Sequence, residues 1–78
     1  MSQKKIKIKL DTAEKIKRFL HITRGFISDV DIMTDRATVD AKSILGVLAL
    51  DFSQVLTISY NGTDEKLEAF LSNYAIAS

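Results

Sequence analysis

Residues 5–23 read KIKIKLDTAEKIKRFLHIT, and the spacing of the apolar side chains changes within this stretch. Up to residue 10, charged and apolar residues alternate, which predicts a strand with one buried and one solvated face. From residue 16 the apolar spacing becomes i, i+3, i+4, i+7, which predicts an amphipathic helix. The side chains of its apolar stripe are Ile16, Phe19, Leu20 and Thr23.

The residues that flank this helix indicate where it begins and ends. Asp11 or Thr12 can cap its start, because both side chains accept hydrogen bonds from the first backbone N–H groups. Asp11 and Glu14 also have the spacing of a capping box. Gly25 suits the position just beyond the helix end.

The middle of the chain predicts two strands and a short helix. Residues 26–34 and 37–39 have strand character and flank the polar turn Thr34-Asp35-Arg36. Residues 43–50 are apolar on nearly all sides, and Ser43 is placed to be the N-cap of a brief helix. We expect Val47 and Leu50 to face the sheet.

The last third predicts one strand and one helix. Residues 54–60 are rich in β-branched side chains, and Asn61-Gly62 is a turn signal. Thr63 can cap the final helix, whose first turn carries Asp64 and Glu65. The resulting order, β-α-β-β-α-β-α, predicts an α+β open-faced sandwich. A ferredoxin-like arrangement remains possible on this pattern alone.

Size and composition limit the classes of protein. The 78 residues predict a single domain, residues 1–78, and the chain has no cysteine, one histidine and three glycines. We expect no metal and no cofactor, and no catalytic triad, phosphate loop or paired carboxylates are readable, so we do not expect an enzyme. The net charge of +1 favours neither nucleic acid nor membrane. Without an apolar block at the N-terminus, we expect a cytoplasmic protein.

A resemblance to a known family rests on residues 39–50, which read VDAKSILGVLAL. They resemble the regulatory-serine region of HPr, the bacterial phosphocarrier of the sugar phosphotransferase system. There a Lys-Ser pair opens a short helix, followed by two large apolar residues, a glycine and an apolar run. The element order and the turn YNGTDE at residues 60–65 also match. The resemblance implies an HPr-like open-faced β-sandwich, a four-stranded antiparallel sheet with three helices on one face.

The resemblance also implies a lost catalytic centre. HPr carries a Gly-Ile-His-Ala-Arg-Pro run at the start of its first helix, in which the histidine takes up the phosphoryl group and the arginine steadies its charge. Counting along the chain places Thr12 at the position of the phosphohistidine and Glu14 at that of the phosphate-binding arginine. A threonine hydroxyl has no ring nitrogen, and Glu14 would repel phosphate. A degenerate active site is the expectation.

The Ser43 region, by contrast, matches the family. In HPr proteins of this kind a dedicated kinase phosphorylates this serine, and the product binds a transcriptional repressor. Ser43 is therefore the candidate phosphorylation site, although an N-cap hydroxyl alone also explains it. We expect Ile44, Leu45 and Leu48 to be exposed in part and, with Lys42, to bind protein partners. Simple core packing is the alternative.

The polar face of the first helix carries Glu14, Lys17, Arg18 and His21. In the family the matching surface receives acidic partners, which makes Lys17 a candidate partner-binding residue. A solvated face with a Glu14–Arg18 ion pair explains the same pattern. His21 is a poor substitute phosphoacceptor, because it lies near the helix C-terminus, where the dipole disfavours phosphate.

These observations favour a non-catalytic HPr-like regulatory or adaptor protein of the phosphotransferase system, with phosphorylation of Ser43 as its candidate switch. Its expected partners are proteins: HPr kinase, phosphotransferase-system components or a transcriptional repressor. Two alternatives stay open. One is a phosphocarrier that uses a non-standard acceptor, and the other is an interaction domain with no role in the phosphotransferase system.

Overall fold

The computed structural model describes residues 3–26 and 29–76. Its elements follow the predicted β-α-β-β-α-β-α order. They are listed along the chain as β1 (Lys4–Ile8), α1 (Ala13–Arg24), β2 (Val30–Met33), β3 (Thr38–Asp40), α2 (Ile44–Leu48), β4 (Leu56–Tyr60) and α3 (Glu65–Tyr74).

The four strands form one antiparallel sheet in the order β1-β4-β2-β3. Ile58 on the central strand β4 lies opposite Ile6 on one side and Ile32 on the other, which fixes the register. In a ferredoxin-like sheet β1 and β3 would be neighbours, whereas here β3 is the edge strand farthest from β1. The α+β prediction is confirmed, and the ferredoxin-like alternative is wrong.

Strand alternation separates a core face of the sheet from an open face. Isoleucines and leucines of β1, β2 and β4 point into the core, where side chains of α1 and α3 complete the packing. Its fully buried members are Ile8, Leu10, Phe19, Val30, Ile32, Val47, Leu56, Ile58, Leu67 and Leu71. On the open face Lys5, Ser59, Asp31 and Asp40 form one cross-strand row.

A polar contact ties β1 and β4 to α3. The Lys4 ammonium lies 2.6 Å from Glu68 Oε1, and the Tyr60 hydroxyl donates to the same oxygen at 3.2 Å. The hydrogen bond from Lys4 lowers the pKa of Glu68, and burial raises the pKa of Tyr60. The contact therefore ties two neighbouring strands to the same side chain of α3.

The ends of α1 lie where the sequence predicts them, but their capping contacts differ in part. Thr12, one of the two predicted caps, is the N-cap. Asp11 instead accepts a hydrogen bond from the Lys15 ammonium, so the expected Asp11–Glu14 capping box is wrong. Gly25 is the C-cap with φ −83°, so α1 ends without the left-handed residue that favours glycine.

The later boundaries also move. β2 begins at Val30 rather than at residue 26, because Phe26 turns into the core against Tyr60; residues 27 and 28 lie outside the described ranges. α2 spans only five residues, and Leu50 beyond it packs against the core.

The cap of α3 also differs from the prediction. Asp64, not Thr63, caps α3, since its carboxylate accepts the Leu67 N–H at 3.0 Å. Gly62 makes the preceding turn with φ 86°.

Candidate functional site

The N-terminus of α1 is capped by the residue at the expected phosphohistidine position. Thr12 adopts extended φ and ψ, and its hydroxyl accepts the Lys15 N–H at 3.2 Å. This bond satisfies one of the four backbone N–H groups that the first turn leaves without partners. The Thr12 hydroxyl therefore has a structural role at this helix end.

Charged side chains surround this helix end. The Lys15 ammonium lies 2.7 Å from Asp11 Oδ1 and 4.9 Å from the centre of the Tyr74 ring. The hydrogen bond between Lys15 and Asp11 lowers the pKa of Asp11 and raises the pKa of Lys15. Glu14, in the first turn, is exposed. The one lysine of this turn is therefore already engaged by a carboxylate, and a second carboxylate stands beside it.

An open cavity of about 470 Å³ adjoins Thr12. Its far wall is formed by Phe52 and Ser53, which lie in the connection between α2 and β4. Ser53 is held by Asp51, which accepts its N–H at 3.0 Å and its hydroxyl at 2.6 Å. These bonds lower the pKa of Asp51. The connection after α2 thus reaches the start of α1.

Phe52 and Ser53 were not identified from the sequence. The Asp51-x-Ser53 pattern is typical of a local turn, because an aspartate readily accepts from the N–H two residues on. That signal could have placed the turn. It could not have shown which helix end the turn approaches.

The N-terminus of α2 confirms Ser43 as the N-cap. Its hydroxyl accepts the Gly46 N–H at 3.4 Å, and its carbonyl accepts the Val47 N–H at 2.9 Å. A glycine suits this position, because a Cβ here would lie 2.5 Å from Val39 Cγ1 and would force a shift of the packing. α2 therefore packs closely on β3 while Ser43 stays exposed.

The apolar side chains of α2 divide between core and solvent. Val47 is 1% exposed, whereas Ile44, Leu45 and Leu48 are 59%, 83% and 72% exposed. We call these three exposed residues the α2 apolar surface. Ser43 is exposed and directly precedes Ile44 in the sequence. The apolar surface and the Ser43 hydroxyl therefore belong to the same short helix and its cap. The expectation of partial exposure is confirmed, and the expectation of simple core packing is wrong.

Lys42 has a contact that sequence reasoning missed. Its ammonium donates to the Phe26 carbonyl at 2.8 Å, and its N–H donates to Asp40 Oδ1 at 2.8 Å. The side chain thus bridges the segment after α1 to the segment before α2. Its predicted role in partner binding stays a prediction, with a structural role beside it.

The polar face of α1 is solvated. Glu14, Lys17, Arg18 and His21 are all exposed. The expected Glu14–Arg18 ion pair is wrong, since the ion pairs formed within residues 3–26 and 29–76 use other side chains. Lys17 lies on this face, on α1 rather than on α2. Its role as a contact for partners stays a prediction.

Metal sites and membrane-spanning helices are two further classes of functional feature. Within residues 3–26 and 29–76, no group of three or more histidine, cysteine, aspartate or glutamate side chains is arranged to hold a metal ion. In the same ranges, each helix is too short or too polar to cross a membrane.

Comparisons with known proteins support the same fold and family. Residues 3–73 match the family model described as the PTS HPr component phosphorylation site. The chain is 31% identical to the phosphocarrier protein HPr from Bacillus anthracis str. Ames, whose crystal structure superposes with a TM-score of 0.65. This match covers 94% of the chain and 95% of that protein. No curated protein matches the chain.

Proposed function

The chain belongs to the HPr family of the phosphotransferase system, and from that premise we propose that it is a non-catalytic regulatory or adaptor protein. In this proposal partner proteins dock on the α2 apolar surface, and phosphorylation of Ser43 switches their binding. The observation that carries the proposal is the exposure of Ile44, Leu45 and Leu48 beside an exposed serine.

Loss of phosphoryl transfer is the first part of the proposal. The family places its phosphohistidine at the start of the first helix, and Thr12 is the N-cap there. Its hydroxyl already accepts the Lys15 N–H, and it lacks a ring nitrogen that could take up and release a phosphoryl group. Glu14 and Asp11 add negative charge where an incoming phosphate would need cations.

His21, the single histidine, does not restore this chemistry in our proposal. It lies in the last turn of α1, far along the helix from Thr12. Carbonyl groups and the negative end of the helix dipole meet there, which disfavours a phosphoryl group on the ring. The alternative of a phosphocarrier with another acceptor is therefore less well supported.

Regulation at Ser43 is the second part. The hydroxyl is exposed, and a kinase could reach it without unfolding the core. The first turn of α2 has no acidic residue that would repel a phosphate. A phosphate added at a helix N-terminus gains from nearby N–H groups, whereas added charge beside an apolar surface disfavours apolar docking. Modification therefore changes what the α2 apolar surface can bind.

Docking on the α2 apolar surface is the third part. Large aliphatic side chains that are more than half exposed lose no native contacts when a partner covers them. Clustered exposed apolar residues are typical of protein interaction sites. The family membership indicates partners among the phosphotransferase-system proteins, and the kinase and a transcriptional repressor are the specific partners that we propose.

A kinase assay tests the regulatory part. Incubation with an HPr serine kinase and ATP should add one phosphoryl group, detected by mass spectrometry, and Ser43→Ala should abolish the addition. Ser53→Ala is the matched control, because Ser53 is also an exposed serine outside the helices. Modification that persists in Ser43→Ala would contradict the assignment of the site.

A binding assay tests the docking part. Leu45→Asn should weaken binding to a phosphotransferase-system protein by about tenfold or more. Val55→Asn is the control, because Val55 is an exposed apolar residue outside the α2 apolar surface, 43% exposed. Absence of both phosphorylation and binding would overturn the proposed function. An acid-labile phosphate formed with phosphoenolpyruvate and enzyme I would instead favour the phosphocarrier alternative.

A further inference from the structure

A groove between α1 and α3 is separate from the surfaces discussed so far. One cavity of about 350 Å³ lies between Arg18 on α1 and Asn73 on α3. A second cavity of about 460 Å³ continues it and shares His21, Ile22 and Lys66 with the first. Volumes of this size suit small molecules. We call this feature the α1–α3 groove.

The first cavity has an excess of positive charge. Arg18 and Lys66 come from different helices, and both line it together with His21. The ion pairs formed within residues 3–26 and 29–76 involve neither of these two cations. Two like charges beside one cavity raise the free energy of the empty groove, and an anion bound between them removes that repulsion.

The second cavity is lined by two acidic side chains, so the two ends of the groove differ in charge. Asp64 and Glu65, at the start of α3, line it. Their carboxylates repel an anion, so an anionic group is favoured at the Arg18 end. Arg18 also lies before the last turn of α1, and the unfavourable dipole of a helix C-terminus is small beyond that turn.

Aromatic and amide side chains also line the first cavity, which contains Arg18. Phe70 and Tyr74 line the cavity, and their rings lie 4.8 Å apart at 58°. Phe70 also packs near Phe19 of α1, with their ring centres 6.0 Å apart. The amide of Asn73, in the same lining, can donate a hydrogen bond. The cavity thus offers cations and an amide donor beside two aromatic rings.

We propose that the α1–α3 groove binds a small organic phosphate monoester. Its phosphate lies between Arg18 and Lys66 and accepts a hydrogen bond from Asn73, while its carbon part packs against Phe70 and Tyr74. Arginine and lysine both bind phosphate oxygens strongly, and an aromatic wall favours an organic group over inorganic phosphate. This proposal does not depend on the proposed function, since it uses neither Ser43 nor α2.

A titration followed by NMR of the ¹⁵N-labelled chain tests it, with phenyl phosphate as the probe. We expect saturable shifts at residues of the α1–α3 groove, and tighter binding of phenyl phosphate than of inorganic phosphate. Arg18→Gln and Lys66→Gln should each weaken binding by about tenfold, the usual effect of losing one charged hydrogen bond. Lys17→Gln is the matched control, because Lys17 is an exposed cation of α1 outside the lining.

Three outcomes would overturn the proposal. The first is the absence of saturable shifts in the groove at millimolar phenyl phosphate. The second is an equal loss of binding in Lys17→Gln, which would indicate diffuse charge attraction rather than a site. The third is co-sedimentation with vesicles of phosphatidylcholine and phosphatidate without binding of phenyl phosphate, which would assign the groove to a lipid headgroup.

Discussion

The N-termini of α1 and α2 are each capped by a hydroxyl side chain, yet their surroundings differ in charge and polarity. Thr12 begins a twelve-residue helix whose first turn contains Glu14 and is preceded by Asp11. Ser43 begins a five-residue helix with no acidic residue in its first turn and with the exposed α2 apolar surface beside it. In our proposal, the acidic surroundings of Thr12 disfavour a phosphate, whereas Ser43 can accept one. The contrast between these two helix starts is therefore what the experiments below are designed to test.

The largest expected effect tests whether α2 has one buried and one solvent-exposed side. Val47→Ala should lower the free energy of unfolding by about 2–3 kcal/mol, since it removes two buried methyl groups and leaves a cavity. Leu45→Ala should change it by less than about 0.5 kcal/mol. Urea denaturation measures both. Similar losses in the two variants would show that Leu45 belongs to the core.

A second comparison concerns Gly46, which lies inside α2, and Gly25, which is the C-cap of α1. Gly46→Ala should cost about 1–2 kcal/mol, because the overpacking against Val39 exceeds the gain in helix propensity. Gly25→Ala should be neutral or slightly stabilising, because its φ is −83° and the nearest atom to an added Cβ is 3.7 Å away. Thermal unfolding of both variants measures this difference. A stable Gly46→Ala would mean that α2 can move away from β3.

The two caps should differ in strength. Thr12→Ala should cost about 1 kcal/mol, whereas Ser43→Ala should cost about 0.5 kcal/mol, because its hydrogen bond is longer and its helix is short. Chemical denaturation provides the measurement, and Thr12→Ser, which keeps the hydroxyl, should recover most of the loss. If Ser43→Ala lowers the free energy of unfolding more than Thr12→Ala does, the α2 cap is the stronger of the two and the prediction is wrong.

The smallest expected effect is the pH dependence of the α1 end. Pairing with Lys15 lowers the pKa of Asp11 below its ordinary value of 3.8 in the folded chain. The pair therefore stabilises the fold above pH 3.8, and this contribution is lost as the pH falls through the lower folded value. The difference in Tm between the native chain and Asp11→Asn should be constant near neutrality and shrink in acid.

The control for this experiment is Asp35→Asn in the exposed turn between β2 and β3. It also removes one negative charge, but Asp35 forms no ion pair within residues 3–26 and 29–76. A pH profile like that of Asp11→Asn would show that net charge, rather than the Asp11–Lys15 pair, causes the effect.

Periodic segments were predicted from the sequence more accurately than their boundaries were. The alternation before residue 10 and the stripe of α1 gave the right elements, because burial of one face requires that spacing. The cap of α3 was predicted one residue early, because Thr63 and Asp64 are adjacent and both are good cap residues. The start of β2 was also predicted too early, because Phe26 is apolar in a strand pattern but packs beside Tyr60.

The candidate site was predictable in part. The exposure of Ile44, Leu45 and Leu48 followed from a short helix that cannot bury every side, and the structure confirms it. Ser43 was predicted as the N-cap of that helix, which is also confirmed. Lys42 was predicted as a partner contact, but its bond to the Phe26 carbonyl joins residues sixteen positions apart. Propensity and spacing carry no information about a contact of that kind.

The sequence by itself determined the order of elements, the stripes that form the core and the residue types at the starts of α1 and α2. Those features depend on local propensity and on apolar spacing, which are properties of neighbouring residues. Tertiary structure alone decided that Phe52 and Thr12 line one cavity, that Gly46 packs against Val39, and that Arg18 of α1 and Lys66 of α3 line one groove. These depend on how the elements pack against one another, because they join residues that no local pattern connects.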